Sequence, residues 1–256
     1  MPLERSAPPT ETLPPHRTLT EFYPGPAERA RFVMDLFDRA ARDYDWISGA
    51  MSLRTDRVYR RRALSQAGVN AGAGMRLLDV ATGTGLLAQA ALELSIAASQ
   101  IIGLDPSEGM LRENRKRTDI QLVRGVGEAL PFRDATFDFV VMGYALRHVE
   151  DLGSLFREFR RVLWTRGRVL ILEMTRPLSR SGFVLMRFYM QKLMPWLIRL
   201  GPRRRDSARL MEYYWATIAE CVPPAEIVEA LSDAGFDRVE RKVRARILSE
   251  YLASKE

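Results

Sequence analysis

The chain has 256 residues, 46% of them hydrophobic, and a formal net charge of +7. That length suits one large α/β domain with a modest insertion and is short for two full domains. A single cysteine, Cys221, excludes an internal disulfide and a cysteine-cluster metal site. Two histidines, His16 and His148, are too few and too far apart to suggest zinc, so no metal is expected. The positive charge permits association with nucleic acid or an anionic membrane and specifies neither.

Residues 1–26 hold half of the chain's prolines and lack the apolar core of a signal peptide. They read as a flexible, extended arm, with a reducing, cytoplasmic setting for the rest. The remainder, 27–256, reads as a single domain. Its first part, 27–70, contains a helix from Ala27 to about Asp43, a break at Tyr44-Asp45-Trp46, and a second helix over Leu53–Leu64. From 75 to 175 strand and helix alternate. Strands are expected at 75–80, 100–105, 120–124, 137–142 and 168–173, and helices at Leu86–Leu94, Glu108–Arg117 and Leu152–Leu163. Such alternation predicts parallel strands joined by crossover helices.

After Glu173 the alternation stops. Ser179 to Leu200 is a long apolar stretch interrupted by Arg187, Lys192 and Arg199, then followed by Gly201-Pro202-Arg203-Arg204-Arg205. Three interior charges argue against a membrane span. A helical cap over 176–222 is the better reading, able to touch a bilayer surface. Helices over 206–219 and 224–234 follow, and segments 237–242 and 245–250 read as closing strands within 223–256.

The chemistry centres on Arg76 to Gln89. An apolar strand ends in Asp79, Gly83 and Gly85 make a turn that lets backbone approach a ligand, and Leu86 resumes at helical spacing. Gly83-Thr84-Gly85-Leu86-Leu87-Ala88 fits a dinucleotide fingerprint, with Asp105 twenty residues past Gly85. Asp79 argues against a dinucleotide, because a carboxylate beside a pyrophosphate repels it. The same acid favours the ammonium and sulfonium of S-adenosylmethionine. Asp105 suits the ribose hydroxyls of either cofactor. Gly127-Glu128-Ala129-Leu130-Pro131-Phe132 supplies a loop after the third strand, where an adenine would lie.

With these residues in hand, the sequence resembles the class I S-adenosylmethionine-dependent methyltransferases, and more narrowly the ubiquinone/menaquinone biosynthesis C-methyltransferase family. Tyr44-Asp45, Met51-Ser52, the Asp79–Gly85 turn, the Glu128–Phe132 loop, Leu146-Arg147-His148-Val149, Arg161-Val162-Leu163, Leu172-Glu173 and Asp233-Ala234-Gly235-Phe236 carry the resemblance. It implies a Rossmann-like, seven-stranded, mostly parallel sheet with helices on both faces, an antiparallel last strand and a helical cap after the fifth strand. It also implies cofactor contacts at Thr84, Asp105, Val126, Gly127 and Gly143, with Tyr44 closing over the methionine end, beside Asp79, Gly83 and Gly85. The chain departs from the family at Asp56, Tyr59, Val126, His148, Trp164-Thr165-Arg166 and the Ser249–Ala253 ending.

Methyl transfer from a sulfonium needs alignment and exclusion of water, and no metal. A phenolic carbon acceptor also needs its hydroxyl deprotonated. Arg147 and His148, just after the fourth strand, are the catalytic candidates, Arg147 for a developing phenolate and His148 for the proton. Tyr144, Tyr189 and Tyr213 are candidates for the acceptor wall. The expected acceptor is a small hydrophobic aromatic or quinol molecule, with room for peripheral contact at the inner membrane surface and for a homodimer; no nucleic acid is expected. A phospholipid headgroup nitrogen, or an oxygen or nitrogen of a secondary metabolite, is the second reading. A non-catalytic cofactor-binding protein is the third.

Overall fold

The computed structural model describes residues 12–52, 55–70, 74–177, 179–198 and 204–256, with backbone alone at 197–198 and 204–208. Residues 1–11 of the expected arm, Leu53 at the start of the second expected helix, Leu200, the 201–203 segment and the side chains of Arg204 and Arg205 lie outside what is described.

Three helices precede the sheet: α1 (Pro26–Ala40), α2 (Tyr44–Met51) and α3 (Asp56–Ala67). Tyr44-Asp45-Trp46 therefore starts a helix rather than breaking one. Gly68, in the left-handed region at φ 96°, ends α3. The core then runs β1 (Leu77–Val80), α4 (Leu86–Leu92), β2 (Ile101–Asp105), α5 (Glu108–Asn114), β3 (Gln121–Arg124), β4 (Phe137–Gly143), α6 (Leu152–Val162) and β5 (Leu163–Met174). β5 begins earlier than expected because Leu163 pairs with Phe137 before a register shift, with Arg166 at φ 67° in the irregular stretch.

The cap comprises α7 (Arg180–Phe188), a π-helical turn at Tyr189–Leu193, α8 (Met194–Ile198) and α9 (Arg204–Glu220). Closing the chain are α10 (Pro224–Asp233), β6 (Asp237–Arg244) and β7 (Leu248–Ser254). The last strand sits later than expected and takes in the whole of Ser249–Ala253.

The seven strands lie in the order β3-β2-β1-β4-β5-β7-β6. β1 to β5 pair in parallel, and β7 runs antiparallel to both β5 and β6. The expected seven-stranded, mostly parallel sheet with an antiparallel last strand is present. Successive strands step outward from β1 in one direction and then from β4 in the other, so the β1/β4 boundary is a switch point with a crevice at the strands' carboxyl ends.

Apolar clusters cover both faces. On one, α6 buries Leu152, Leu155, Phe156, Phe159 and Val162, the spacing of a single helix face. On the other, α3 and α4 pack Leu64 and Leu87 against Leu77 and Val141. A third cluster lies under the cap and joins Met186, Met190 and Met194 to α1 and α9.

Residues 12–26, expected as part of a flexible arm, are packed instead. Leu19 is fully buried and Tyr23 nearly so, both within the third cluster. The Leu13 amide donates to Asp151 at 2.6 Å, and the Leu152 amide donates to the Leu13 carbonyl at 3.0 Å. His16 bridges to Cys221. Proline richness signalled an absence of regular structure here, and apolar side chains bind the segment without any. Leu19→Ala is accordingly expected to destabilise the protein by about 2–5 kcal/mol. Equilibrium urea denaturation reads this directly, and a change below about 0.5 kcal/mol would restore the free arm.

Candidate active site

The carboxyl ends of β2, β1 and β4 lie side by side and carry Asp105, Asp79 and Gly143. Asp79 is 1% exposed. Its Oδ2 accepts the Thr82 hydroxyl at 2.6 Å, while Oδ1 is buried with no protein partner. Burial pushes its pKa up to about 7, against the opposing effects of the Thr82 hydrogen bond and the Arg60 charge. An unpaired buried carboxylate oxygen at the mouth of a strand suits a cationic ligand group.

Asp105 accepts the Gly83 amide at 2.8 Å on one oxygen and the Ser107 amide at 2.9 Å on the other. Burial raises its pKa to about 6 despite both bonds. Each oxygen keeps a further lone pair, which fits a vicinal diol.

The turn between these acids is set by Gly83 at φ 55° and Gly85 at φ 88°. A Cβ on Gly85 would lie 2.6 Å from Asn114 Oδ1. Asn114 is buried and donates to the Gly83 carbonyl at 3.2 Å, so the turn is braced from α5. The Thr84 hydroxyl donates to Asp45, which also pairs with Arg117 at 3.1 Å, so α2 is latched over the turn.

Val126 follows β3 and is 45% exposed. A Cβ on the next residue, Gly127, would fall 2.5 Å from Leu155 Cδ1. The Glu128–Phe132 loop is held from α6: Arg161 donates to the carbonyls of Leu130 at 3.0 Å and Phe132 at 2.8 Å, and Glu158 accepts the Leu130 amide at 2.7 Å. Arg161 belongs to a signature that the sequence singled out without a role, and the geometry assigns it loop anchorage.

Gly143 and Tyr144 close the other side. Tyr144 stands in the left-handed region at φ 60°, strained for an aromatic residue. Arg60 lies 4.9 Å over its ring, pairs with Asp56 at 2.7 Å and would meet a Gly143 Cβ at 3.0 Å. Arg60 and Asp56 were not anticipated as site residues. A buried arginine beside Asp79 is a natural partner for an anionic ligand group, and only the departure at Asp56 hinted at it.

Arg147 and His148 lie deeper. Arg147 is 2% exposed and its Nε donates to Glu173 Oε1 at 2.9 Å. A second nitrogen donates to Thr217 Oγ1 at 2.6 Å. Its ion-pair partner is thus Glu173 and not Glu150 or Asp151: Glu150's amide is bound by Glu128, and Asp151 caps α6 by accepting from Ser154 at 2.7 Å. Both ring nitrogens of His148 are buried without partners. Phe37 meets its ring edge at 5.1 Å, while Tyr213 and Tyr214 stack at 5.4 and 5.8 Å. Burial, then the Arg147 charge, holds its pKa well below the usual imidazole value.

His148 is not alone in the folded body. His16 is buried too, accepting from Arg29 at 3.0 Å, and Arg29 also donates to the Arg147 carbonyl at 3.0 Å. Of the three tyrosines expected to wall an acceptor, Tyr213 is fully buried on His148 with its hydroxyl unpaired, and Tyr144 sits at the β4 end. Tyr189 instead donates to the Met51 carbonyl at 2.7 Å, tying the cap to α2. Tyr44 lies 6.2 Å from Phe37, between the two halves of the site. No group of three or more His, Cys, Asp or Glu side chains is placed to hold a metal among the described residues.

The donor set fits S-adenosylmethionine: Asp79 could take its ammonium and Asp105 its ribose hydroxyls. The folded protein keeps the Asp79 proton up to about pH 7, whereas an unfolded chain loses it near pH 4. Folding without ligand therefore becomes less favourable as pH rises through that window. Asp79→Asn is expected to stabilise the ligand-free protein at pH 8 by up to about 4 kcal/mol and to weaken cofactor binding at least about 100-fold, the order of a lost buried charge contact. Binding to the parent should release a proton and tighten from pH 5 to pH 7. Calorimetry in buffers of different ionisation heat tests this; unchanged affinity in Asp79→Asn would remove Asp79 from the site.

Comparison with known proteins agrees with this geometry. The model of the ubiE/COQ5 methyltransferase family matches residues 26–252. A demethylmenaquinone methyltransferase of Symbiobacterium thermophilum is 32% identical over 83% of this chain and 88% of its own length. A ubiquinone/menaquinone biosynthesis C-methyltransferase UbiE of Idiomarina loihiensis is 30% identical over 83% and 86%. Among solved structures, a methyltransferase of Thermotoga maritima, described as a possible histamine N-methyltransferase, superposes with a TM-score of 0.61 at 19% identity, covering 87% of this chain and 99% of that one. The fold, the cofactor turn and the match across nearly the whole chain agree: this chain is an S-adenosylmethionine-dependent methyltransferase and belongs to the ubiE/COQ5 methyltransferase family.

Proposed function

We propose that this enzyme methylates a ring carbon of a demethylated, prenylated quinol of the menaquinone or ubiquinone type. The observation that carries the reading is His148, a half-buried histidine whose two ring nitrogens are buried and unpaired inside an aromatic box. Aromatic side chains favour a flat ring as their ligand, and His148 offers a hydroxyl one polar partner. The unpaired hydroxyl of Tyr213 stands beside it. The sequence relatives, named for demethylmenaquinone and for ubiquinone/menaquinone C-methylation, support the same acceptor class.

When bound, the cofactor supplies an electrophilic methyl group on sulfur and leaves as a neutral thioether. His148 accepts the quinol hydroxyl proton, which raises electron density on the adjacent ring carbon, the atom that bonds the methyl group. The methylated carbon then gives its proton to water, the ring regains aromaticity as a phenolate, and that phenolate takes back the proton held on His148. Arg147 is fixed by Glu173 and Thr217, so its part is electrostatic. Burial, and then the Arg147 charge, keep His148 unprotonated beforehand, and the phenolate supplies the counter-charge that an imidazolium between Arg147 and Arg29 would otherwise lack. Tyr44 and Tyr144 separate this box from the Asp79 end, where Thr84, Asp105, Val126, Gly127 and Gly143 would hold the cofactor. A prenylated acceptor partitions into lipid, so the reading includes peripheral contact with the inner membrane surface.

Incubation with methyl-labelled S-adenosylmethionine and a panel of demethylated quinols, followed by mass spectrometry, is expected to place the label on ring carbon. Label on nitrogen or oxygen would overturn the acceptor. His148→Ala is expected to lower kcat about 100-fold or more with cofactor affinity unchanged, and His148→Asn to recover part of the loss. Full turnover in His148→Ala would end its assignment as base.

A further inference from the structure

α7, the π-helical turn and α8 form one continuous helical rod from Arg180 to Ile198. Its inner face carries Met186, Met190 and Met194, all buried against α1 and α9. The four-residue spacing of these methionines, kept through the π-turn, holds one face to the body. The opposite face is also apolar. Leu185 is 70% exposed, Val184, Phe188 and Trp196 are each 58% exposed, and Leu193 is 37% exposed. Arg180, Arg187 and Lys192 are exposed among them. Large apolar side chains grouped this way on one helix mark an interaction surface.

Charge selects the partner. Between Glu173 and Asp206 the sequence has no acidic residue and eight arginines or lysines. A second copy of the same face would set cations against cations. An interface of phospholipid headgroups offers the complement, with anionic charge at the surface, hydrocarbon beneath, and a level at which indole rings settle. No helix among the described residues is long and apolar enough to cross a membrane, so the rod would lie on it.

We propose that the outer face of the Arg180–Ile198 rod docks on an anionic bilayer, with Leu185, Phe188 and Trp196 inserted and Arg180, Arg187 and Lys192 at the headgroups. The proposal rests on the reading of a lipid-soluble acceptor and adds the surface that would collect it. The Tyr189 hydroxyl bond to Met51 joins the rod to α2, which Asp45 latches to Thr84, so docking face and cofactor turn are mechanically linked.

Flotation of the full chain with phosphatidylglycerol/phosphatidylethanolamine vesicles, against phosphatidylcholine vesicles, tests this. The parent should bind the anionic vesicles, and the double variant Leu185→Asp/Phe188→Asp should lose at least about tenfold in affinity. Both substituted positions are exposed; equal melting temperatures establish that the double variant folds. Brominated lipid should quench the parent's tryptophan fluorescence, and Trp196→Phe should lose that quenching. No binding, or binding and quenching untouched by these substitutions, overturns the proposal. So does a parent dimer that the double variant splits without any vesicle binding. Methylation of a tail-less quinol is read separately: its failure in the parent counts against the acceptor, while vesicle binding that depends on Leu185 and Phe188 still supports the face.

Discussion

The buried pair of Arg147 and Glu173 joins the parts of this molecule that could otherwise drift apart. Glu173 ends β5 and Arg147 follows β4, so the pair ties neighbouring strand ends. Arg147 also reaches Thr217 on α9, and its carbonyl takes Arg29 from α1, which in turn holds His16 of the N-terminal segment. Sheet, cap and N-terminal segment meet at Arg147, the first two through its guanidinium and the third through its carbonyl. Placing two charges out of water is costly unless both are well satisfied, and losing one partner typically costs about 3–5 kcal/mol. The result is position: Arg147 lies 5.7 Å over the Tyr214 ring, on which His148 stacks.

Two chemical environments result within one crevice. At the β1 and β2 ends, two buried acids with raised pKa values flank a backbone turn and fit a cationic, hydroxylated ligand. Deeper in, an unprotonated imidazole sits in an aromatic box next to a fixed positive charge. Methyl transfer to carbon needs both, an electrophile held at one end and an acceptor made electron-rich at the other. Tyr44, Tyr144 and Tyr214 stand at the seam between them.

What the sequence disclosed was local. Asp79, Gly83, Gly85 and Asp105 occupy strand ends and a turn whose geometry follows from residue type and short spacing, and the alternation of elements gave the sheet order its direction. The hidden part depends on distant partners. Nothing in the local pattern links Arg147 to Glu173, Asp45 to Thr84 or Asn114 to Gly83, separated by 26, 39 and 31 residues. The N-terminal segment misled because its prolines signal irregular backbone, whereas its fate was decided by Leu19 and Tyr23 finding a groove under the cap. β7 was misplaced by a few residues because its alternation is obscured by burial on both sides at Ser249, Glu250 and Tyr251.

The proposed chemistry requires His148 to be an unprotonated imidazole until it meets the acceptor's hydroxyl. With only two histidines in the chain, nitrogen NMR of imidazole-labelled protein can read it directly, His16→Gln serving for assignment. Held well below the usual imidazole range by burial and the Arg147 charge, His148 is expected to stay neutral through that range, and its ring nitrogens alone are expected to shift when a demethylated quinol is added in the presence of S-adenosylhomocysteine. An imidazole that titrates near pH 6.5, or whose nitrogens ignore the quinol, would contradict it.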